Sequence, residues 1–265
     1  WVTKANIDGF RCDVAGDVPA EFWTNCIKQL KNMKNLFMLA EASAGWLHKT
    51  GFDATYSWDE FGMMKLIAKG ERPAFAFDSV LQKIDAAYPE NALRMYFTSN
   101  HDENSWNKAD YGTMPGASHA PFAVLTQTIK RSIPLIYSGQ EEPVLDSISF
   151  FYKDSIHFQY YKRAPFYETL LSLRKNNPAL DANAAFKKIR SSNDAAVYAF
   201  EREKKGNKIM VILNLSSTSQ KVTVQSSFEG KIAKDIFTSQ SVKISKGYNL
   251  KPWDYKVYKI AGGGK

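Results

Sequence analysis

The sequence predicts an α/β fold of about five β/α units, either a doubly wound sheet or a partial (β/α)8 TIM barrel, followed by an all-β antiparallel sandwich. Three observations carry this. Short apolar runs alternate with helix-periodic segments through the first two thirds of the chain, the pattern of a parallel sheet covered by helices. Beyond Asn176-Asn177-Pro178 the apolar period drops to two, with Gly and Asn turns between runs, as in antiparallel sheets. The 265 residues, 44% hydrophobic and 14% aromatic, are enough to bury one large core or two modest ones. The division that follows is a parallel α/β part, doubly wound or a partial barrel, over residues 1–180 and a sandwich over residues 181–265.

The elements are read in order. Residues 1–4 resemble the tail of a helix, and residues 5–10 form a first strand. Pro19 then opens a helix with Phe22, Trp23, Cys26, Ile27, Leu30 and Met33 at helical spacing. Residues 36–40 and 52–56 are the next strands, followed by helices over 60–69 and 79–88. A strand over 94–98, a helix over 120–129, a strand over 135–137 and a helix over 167–175 complete the parallel part. Residues 196–200, 209–213, 221–224, 242–244 and 255–260 alternate as strands, punctuated by Gly206-Asn207, Gly230 and Gly247-Tyr248-Asn249. Gly262-Gly263-Gly264 reads as a flexible end.

Charge and cysteine usage narrow the function classes. The net charge is +8, and from Phe186 onward 16 Lys and Arg stand against 6 Asp and Glu, leaving 19 against 21 before it. The excess lysines alternate with apolar residues, as on the solvated face of a sheet, so nucleic acid is not the expected partner. No apolar run reaches the roughly 18 residues of a membrane span. The first residues show no secretory signal, and because the sequence starts without Met the true N-terminus is expected upstream, which leaves localisation unread. Cys12 and Cys26 are expected to be free thiols, since two cysteines without C-x-x-C spacing make neither a disulfide framework nor a metal site.

In a parallel barrel the reactive groups stand where strands end at the C-terminal face. Three apolar strands run out into acids: Ile7-Asp8-Gly9-Phe10-Arg11-Cys12 into Asp13, Leu36-Phe37-Met38-Leu39-Ala40 into Glu41, and Tyr96-Phe97-Thr98-Ser99-Asn100-His101 into Asp102. Consecutive strands usually neighbour each other, which would bring the Asp13 and Glu41 carboxyls to about 5 Å, the spacing of a nucleophile and an acid/base in retaining glycosidases. Arg11, two residues before Asp13, shares its face and would keep that carboxyl ionised. Five apolar residues precede Glu41, which suits a group that gives up a proton and takes it back. His101 and Asp102 could hold sugar hydroxyls, and Trp46, Tyr56, Trp58 and Trp106 offer flat faces for sugar rings. Taken singly, an acid at a strand end is more often a cap or half of an ion pair; their order along the chain gives them weight.

That order resembles the α-amylase family of glycoside hydrolases. Gly9-Phe10-Arg11-Cys12-Asp13 is similar to its strand-four signature, Ala40-Glu41 to its strand-five glutamate, and Phe97-Thr98-Ser99-Asn100-His101-Asp102 to its strand-seven signature. Ile133-Pro134-Leu135-Ile136-Tyr137-Ser138-Gly139-Gln140-Glu141 is similar to its strand-eight segment. Phe150-Phe151-Tyr152-Lys153-Asp154, Leu173-Arg174-Lys175-Asn176-Asn177-Pro178-Ala179-Leu180 and Lys251-Pro252-Trp253-Asp254-Tyr255 also resemble recurrent stretches of these enzymes. The resemblance implies a retaining double displacement on α-1,4-linked glucans such as starch or maltodextrin, with Asp13 as nucleophile, Glu41 as acid/base and Asp102 as transition-state stabiliser. Arg11, His101 and Asn100 would be substrate contacts. No cofactor or metal is needed for the chemistry; a structural calcium is implied only for a longer protein.

The sequence differs from many members in having Gly16-Asp17 where they carry Lys-His, and in lacking Trp after Glu41. The strand-three signature is absent, so the resemblance covers strands four to eight plus the C-terminal β domain. Five strands cannot close an eight-stranded barrel, so the border strands are expected either to find partners, by self-association or from further polypeptide, or to leave an open curved sheet, and the 265 residues alone are expected to be inactive. The runner-up readings are a transglycosylase of the same family and a non-catalytic carbohydrate-binding or assembly relative.

Overall fold

The structure, a computed structural model, describes residues 1–107, 118–142 and 147–261. The glycine tail lies outside the described residues. Five parallel strands, β1 (Gly9–Cys12), β2 (Phe37–Ala40), β3 (Ala54–Tyr56), β4 (Leu93–Tyr96) and β5 (Ser132–Pro134), form one sheet in chain order. Their registers, with Cys12 opposite Ala40, Tyr56 opposite Met95 and Tyr96 opposite Pro134, bring all the C-terminal ends to one rim. Helices α1 (Val2–Ala5), α2 (Ala20–Met33), α3 (Trp58–Ala68), α4 (Ala76–Ala87), α5 (His101–Asn107), α6 (His119–Thr128) and α7 (Ala164–Asn176) fall before, between and after the strands. No described helix is long and apolar enough to cross a membrane.

Local chemistry explains where the strands begin and end. The strand expected over residues 5–10 starts only at Gly9, because Val2–Ala5 is helical and Asn6 takes a left-handed φ of 51° that breaks the chain direction. Gly9 is required there: a Cβ would meet the Phe37 carbonyl oxygen at 2.1 Å. The last parallel strand lies at Ser132–Pro134, ahead of the expected 135–137. Pro134 is tolerated because β5 is an edge, and only the Leu135 N–H still reaches back to the Tyr96 carbonyl, at 2.7 Å. The sequence reading also missed α5. Here the strand stops at Tyr96, and the Asn100 side chain accepts the Glu103 N–H at 2.8 Å, a local cap that starts a helix where an extended run was expected.

The C-terminal part is two antiparallel layers. Six strands, β6 (Ala185–Ile189), β7 (Val197–Lys204), β8 (Asn207–Asn214), β10 (Ile232–Asp235), β11 (Ser241–Lys243) and β13 (Tyr255–Ile260), lie in the order 11-10-13-8-7-6. The pair β9 (Gln220–Thr223) and β12 (Gly247–Leu250) packs across them through Val222, Leu250, Val197, Ala199, Met210 and Ile212. β6, β10 and β12 went unread. β12 consists largely of turn-forming residues, yet Tyr248 pairs with Val222 and Leu250 is buried, so cross-strand pairing overrides local preference. Lys205 and Gly206, both with positive φ, make the tight turn from β7 to β8.

The proposed division at residue 180 sets the parallel sheet apart from the antiparallel ones, but the core crosses it. One cluster contains Tyr56, Phe97 and Phe122 together with Tyr198, Phe200, Val211 and Val257. Arg202 spans the same seam, fully buried, donating to the carbonyls of Thr128 (2.6 Å), Asp181 (2.7 Å) and Ala185 (3.2 Å). Burial lowers its pKa to about 10. These carbonyls replace water around the cation, which makes the seam a specific joint.

Below the rim, His48 sits in the short 3₁₀ helix Gly45–Thr50, with its Nε2 3.1 Å from the Thr55 hydroxyl and its ring edge-on to Tyr88. Burial, then the positive charge of Arg94, pushes its pKa from 6.5 down to about 4; Arg131 adds to the fall while Asp53 opposes it. The unfolded chain therefore takes up a proton that the folded chain refuses between those two values. Stability is unaffected above pH 6.5 and declines as pH falls toward 4. Because the ring is only partly buried, the loss is discounted to about 1 kcal/mol. Thermal denaturation from pH 7 to 4 should show a decline that is shallower in His48→Gln; equal slopes in the two proteins would exclude His48 as the cause.

Candidate active site

Two of the three sequence-predicted acids meet at the rim directly. Asp13 follows β1, Glu41 follows β2, and the Glu41 N–H donates to the Cys12 carbonyl at 3.0 Å, so the strand ladder itself sets the two side by side. Arg11 lies between them. Its Nη1 holds Asp13 Oδ1, its Nη2 is 3.1 Å from Glu41 Oε1, and its Nε donates to the Tyr56 hydroxyl at 3.2 Å. The other Glu41 oxygen accepts the Val14 N–H at 2.9 Å, a contact permitted by a left-handed turn at Val14 with φ 44°. The two carboxyls thus share one guanidinium, with Glu41 well covered and Asp13 open to solvent.

The electrostatics follow from that arrangement. Hydrogen bonding from Arg11 holds the Asp13 carboxyl below the usual carboxylate range; the charge of Arg11, the neighbouring Glu41 and the more distant His101 act in the same direction. Burial works against the Arg11 cation, and its bonds to Tyr56 and then Asp13 outweigh that, leaving the guanidinium more firmly protonated than usual. Such a site presents an ionised, accessible carboxylate next to a second, partly enclosed one.

Asp102 and His101 come from the next-but-one strand end, at the start of α5, with His101 Nε2 3.5 Å from Asp102 Oδ2. Tyr137, beyond β5, has its phenol pKa raised by burial and then by the negative charge of Asp102. Asn100 is buried, with Oδ1 capping α5, while its Nδ2 has no hydrogen-bond partner among the described residues. The sequence reading missed Tyr137 and the Val14 N–H; a backbone donor in a left-handed turn leaves no pattern in residue type.

The expected sugar-facing aromatics need correction. Tyr56 is buried, its hydroxyl engaged by Arg11 and its ring packed on Phe97. Trp58 packs edge-on against Phe61 and Phe97, and Trp46 lies against the apolar cluster beneath β2. Trp106 alone of the four is open, at 65% exposure. Aromatic residues near strand ends fill the layer between sheet and helices more readily than they line a cleft. Cys12 and Cys26 are free. Among the described residues there is no group of three or more His, Cys, Asp or Glu side chains that could hold a metal ion.

Comparison with known proteins bears on this geometry. Residues 186–257 match the family described as Maltogenic Amylase, C-terminal domain. Alpha-amylase MalA of Haloarcula japonica is 26% identical over 234 residues, 84% of this chain and 34% of that protein. Neopullulanase 2 of Thermoactinomyces vulgaris is 27% identical over 266 residues, 93% of this chain and 43% of that protein. The chain thus spans less than half the length of these curated relatives. Among solved structures, the maltogenic alpha-amylase AmyB of Thermotoga neapolitana superposes with a TM-score of 0.79 at 24% identity, covering 98% of this chain and 61% of that one. An alpha-amylase of Lactobacillus plantarum gives 0.80 at 23% identity, covering 96% and 63%. At that identity the structures establish the fold, while the sequence relatives extend through both sheets. The chain is thus similar, through both sheets, to the C-terminal portion of α-amylase-type glycoside hydrolases.

Proposed function

We propose that this chain supplies the catalytic acids of a retaining glycoside hydrolase acting on α-1,4-linked glucans. The observation that carries the reading is a single guanidinium, that of Arg11, in contact with both Asp13 and Glu41 at the C-terminal rim of a parallel sheet. Asp13, kept as carboxylate, attacks the anomeric carbon as the bond to the leaving oxygen breaks, and Glu41 delivers the proton that oxygen needs. Glu41, now a carboxylate, then takes a proton from water, whose oxygen displaces Asp13 and restores it. Asp102 stabilises the positive charge that develops on the ring, with His101 and Asn100 as further substrate contacts. None of these steps needs a cofactor.

The same reading holds that the 265 residues alone are inactive. β1 and β5 are both sheet edges, and Phe22, Met33 and Phe37 are exposed beside the first of them. Further polypeptide, or a second copy, must cover those edges before a glucan can be gripped on all sides. The purified chain should release no reducing ends from starch. A polypeptide extended until the sheet closes should release products that are α-configured at the first NMR time point. Release by the isolated chain that Asp13→Asn abolishes would end the inactivity claim, and β-configured first products would end the retaining mechanism.

A further inference from the structure

An exposed aromatic group beside the rim has no role in the chemistry above. Trp106 is 65% exposed, Phe150 47%, Phe151 75% and Tyr152 82%. The rings are contiguous: Phe150 is stacked on His101, with centroids 6.4 Å apart and planes 19° apart, and contacts Trp106 at 5.6 Å and Phe151 at 5.0 Å; Trp106 also meets Phe151 at 6.4 Å. Large aromatics in water forfeit their apolar burial, so a contiguous outward-facing set marks a surface that something covers.

The backbone beneath these rings is pinned. The buried Asn104 Oδ1 accepts the Ile148 N–H at 2.9 Å, and the Ser105 hydroxyl donates to the Ile148 carbonyl at 2.9 Å. Asp154 accepts the N–H groups of Ser149 and Ser155, and Ser149 Oγ accepts that of Tyr152. Farther along the chain, away from these rings in sequence, Glu142 accepts three N–H groups, from Gln159, Tyr160 and Tyr161. Hydrogen bonding to these amides, that of Tyr161 foremost, holds the Glu142 carboxyl below its usual range. Rings held outward by a fixed backbone lose little freedom when a ligand lands on them.

We infer that Trp106, Phe150 and Phe151 form a stacking platform for glucose units of a linear α-glucan lying beyond those at the rim. The inference rests on the proposed glycosidase reading and adds to it a subsite that selects for chain length. Continuity singles out the occupant. His101 touches the platform through Phe150, lies beside Asp102, and acts through its charge on Asp13, so a chain seated on the acids meets the aromatic surface next. The C–H face of a pyranose is apolar and flat, and its hydroxyls stay in water when it lies on a ring. A short maltoside would occupy the rim without reaching the platform.

The test is binding, which needs no turnover. The purified 265-residue chain is titrated with maltoheptaose and with maltose, following tryptophan fluorescence and heat. Trp106→Ala and Phe151→Ala should each weaken maltoheptaose binding roughly three- to tenfold, the range of a single aromatic contact, and leave maltose within twofold. Phe22→Ala, an exposed ring on α2, should change neither. Circular dichroism checks that each variant is folded. No maltoheptaose binding by the parent chain, or unchanged affinity in both platform variants, overturns the inference, the latter outcome pointing to polypeptide as the natural cover. Arg11→Met separates the two readings. If it weakens binding while the platform variants do not, the rim stands without the platform; if only the platform variants weaken it, the platform stands and the rim reading fails.

Discussion

Replacing Glu60 by Ala should lower the unfolding free energy by about 3–5 kcal/mol, the cost of stranding a buried cation. That is a large share of the roughly 5–15 kcal/mol that holds a domain folded. Glu60 on α3 and Arg94 on β4 are both fully buried and paired twice over, Arg94 Nε to Oε1 at 2.9 Å and Nη2 to Oε2 at 2.6 Å. The guanidinium donates further to the hydroxyls of Thr55 (2.6 Å), Ser43 (2.9 Å) and Tyr88 (3.3 Å). Removing the carboxylate leaves the charge in an apolar layer with hydroxyls alone. Replacing both residues with Met should recover much of the loss, because it also removes the cost of burying two ions. Urea denaturation followed by circular dichroism measures both variants, and a Glu60→Ala cost under 1 kcal/mol would contradict the argument. The pair also reaches the rim. Ser43, two residues after Glu41, is held by Arg94, donates to the Tyr56 carbonyl, and gives its own carbonyl to Tyr88. Part of the scaffold that aims Glu41 is therefore this buried pair.

In a polypeptide that closes the sheet, Asp13→Asn should lower kcat on maltodextrin by a factor on the order of 10⁴ to 10⁶, the scale of losing a nucleophile. Glu41→Gln should cost about 10² to 10⁴, the scale of losing a proton-transfer group. The two can be told apart by leaving group. Fluoride leaves a maltosyl fluoride without being protonated, so the glycosylation step of Glu41→Gln should recover on that substrate while Asp13→Asn stays inert. Equal recovery in both would exchange or erase the assigned roles. Arg11 adds a pH signature. Because its hydrogen bond holds the Asp13 pKa below the ordinary range, Asp13 remains a carboxylate into acid. In Arg11→Met the acid limb of the kcat/KM profile should move to higher pH, and an unmoved limb would mean that it reports another group.

Much of this arrangement was legible in residue order, and the unread parts share a cause. Helix α2 showed itself by the spacing of Phe22, Trp23, Cys26, Ile27, Leu30 and Met33. Only Trp23 and Ile27 are buried, however, and Phe22 and Met33 face solvent, because periodicity reports an apolar face and not whether another element lies against it. The placement of Asp13 and Glu41 just after β1 and β2 was legible because strand ends are readable. Tyr56 was read as a sugar platform and proved to be a ligand of Arg11, since alternation along a strand fixes a face but not the partner that fills it. α5 was missed because a single capping amide, Asn100, outweighed the extended look of the segment before it.

The sequence by itself determined the β/α alternation, the change to period-two strands after Pro178, and the three acids at the ends of apolar runs. All of these are local consequences of where apolar side chains recur along the backbone. Only the tertiary structure decided that Arg11 touches two carboxyls at once, that Arg202 joins the antiparallel sheet to helix α6 through the Thr128 carbonyl, and that Trp106 shares an open surface with Phe150 and Phe151. Each depends on residues far apart in the chain arriving at one place, and their approach is set by register and packing, which no local pattern encodes.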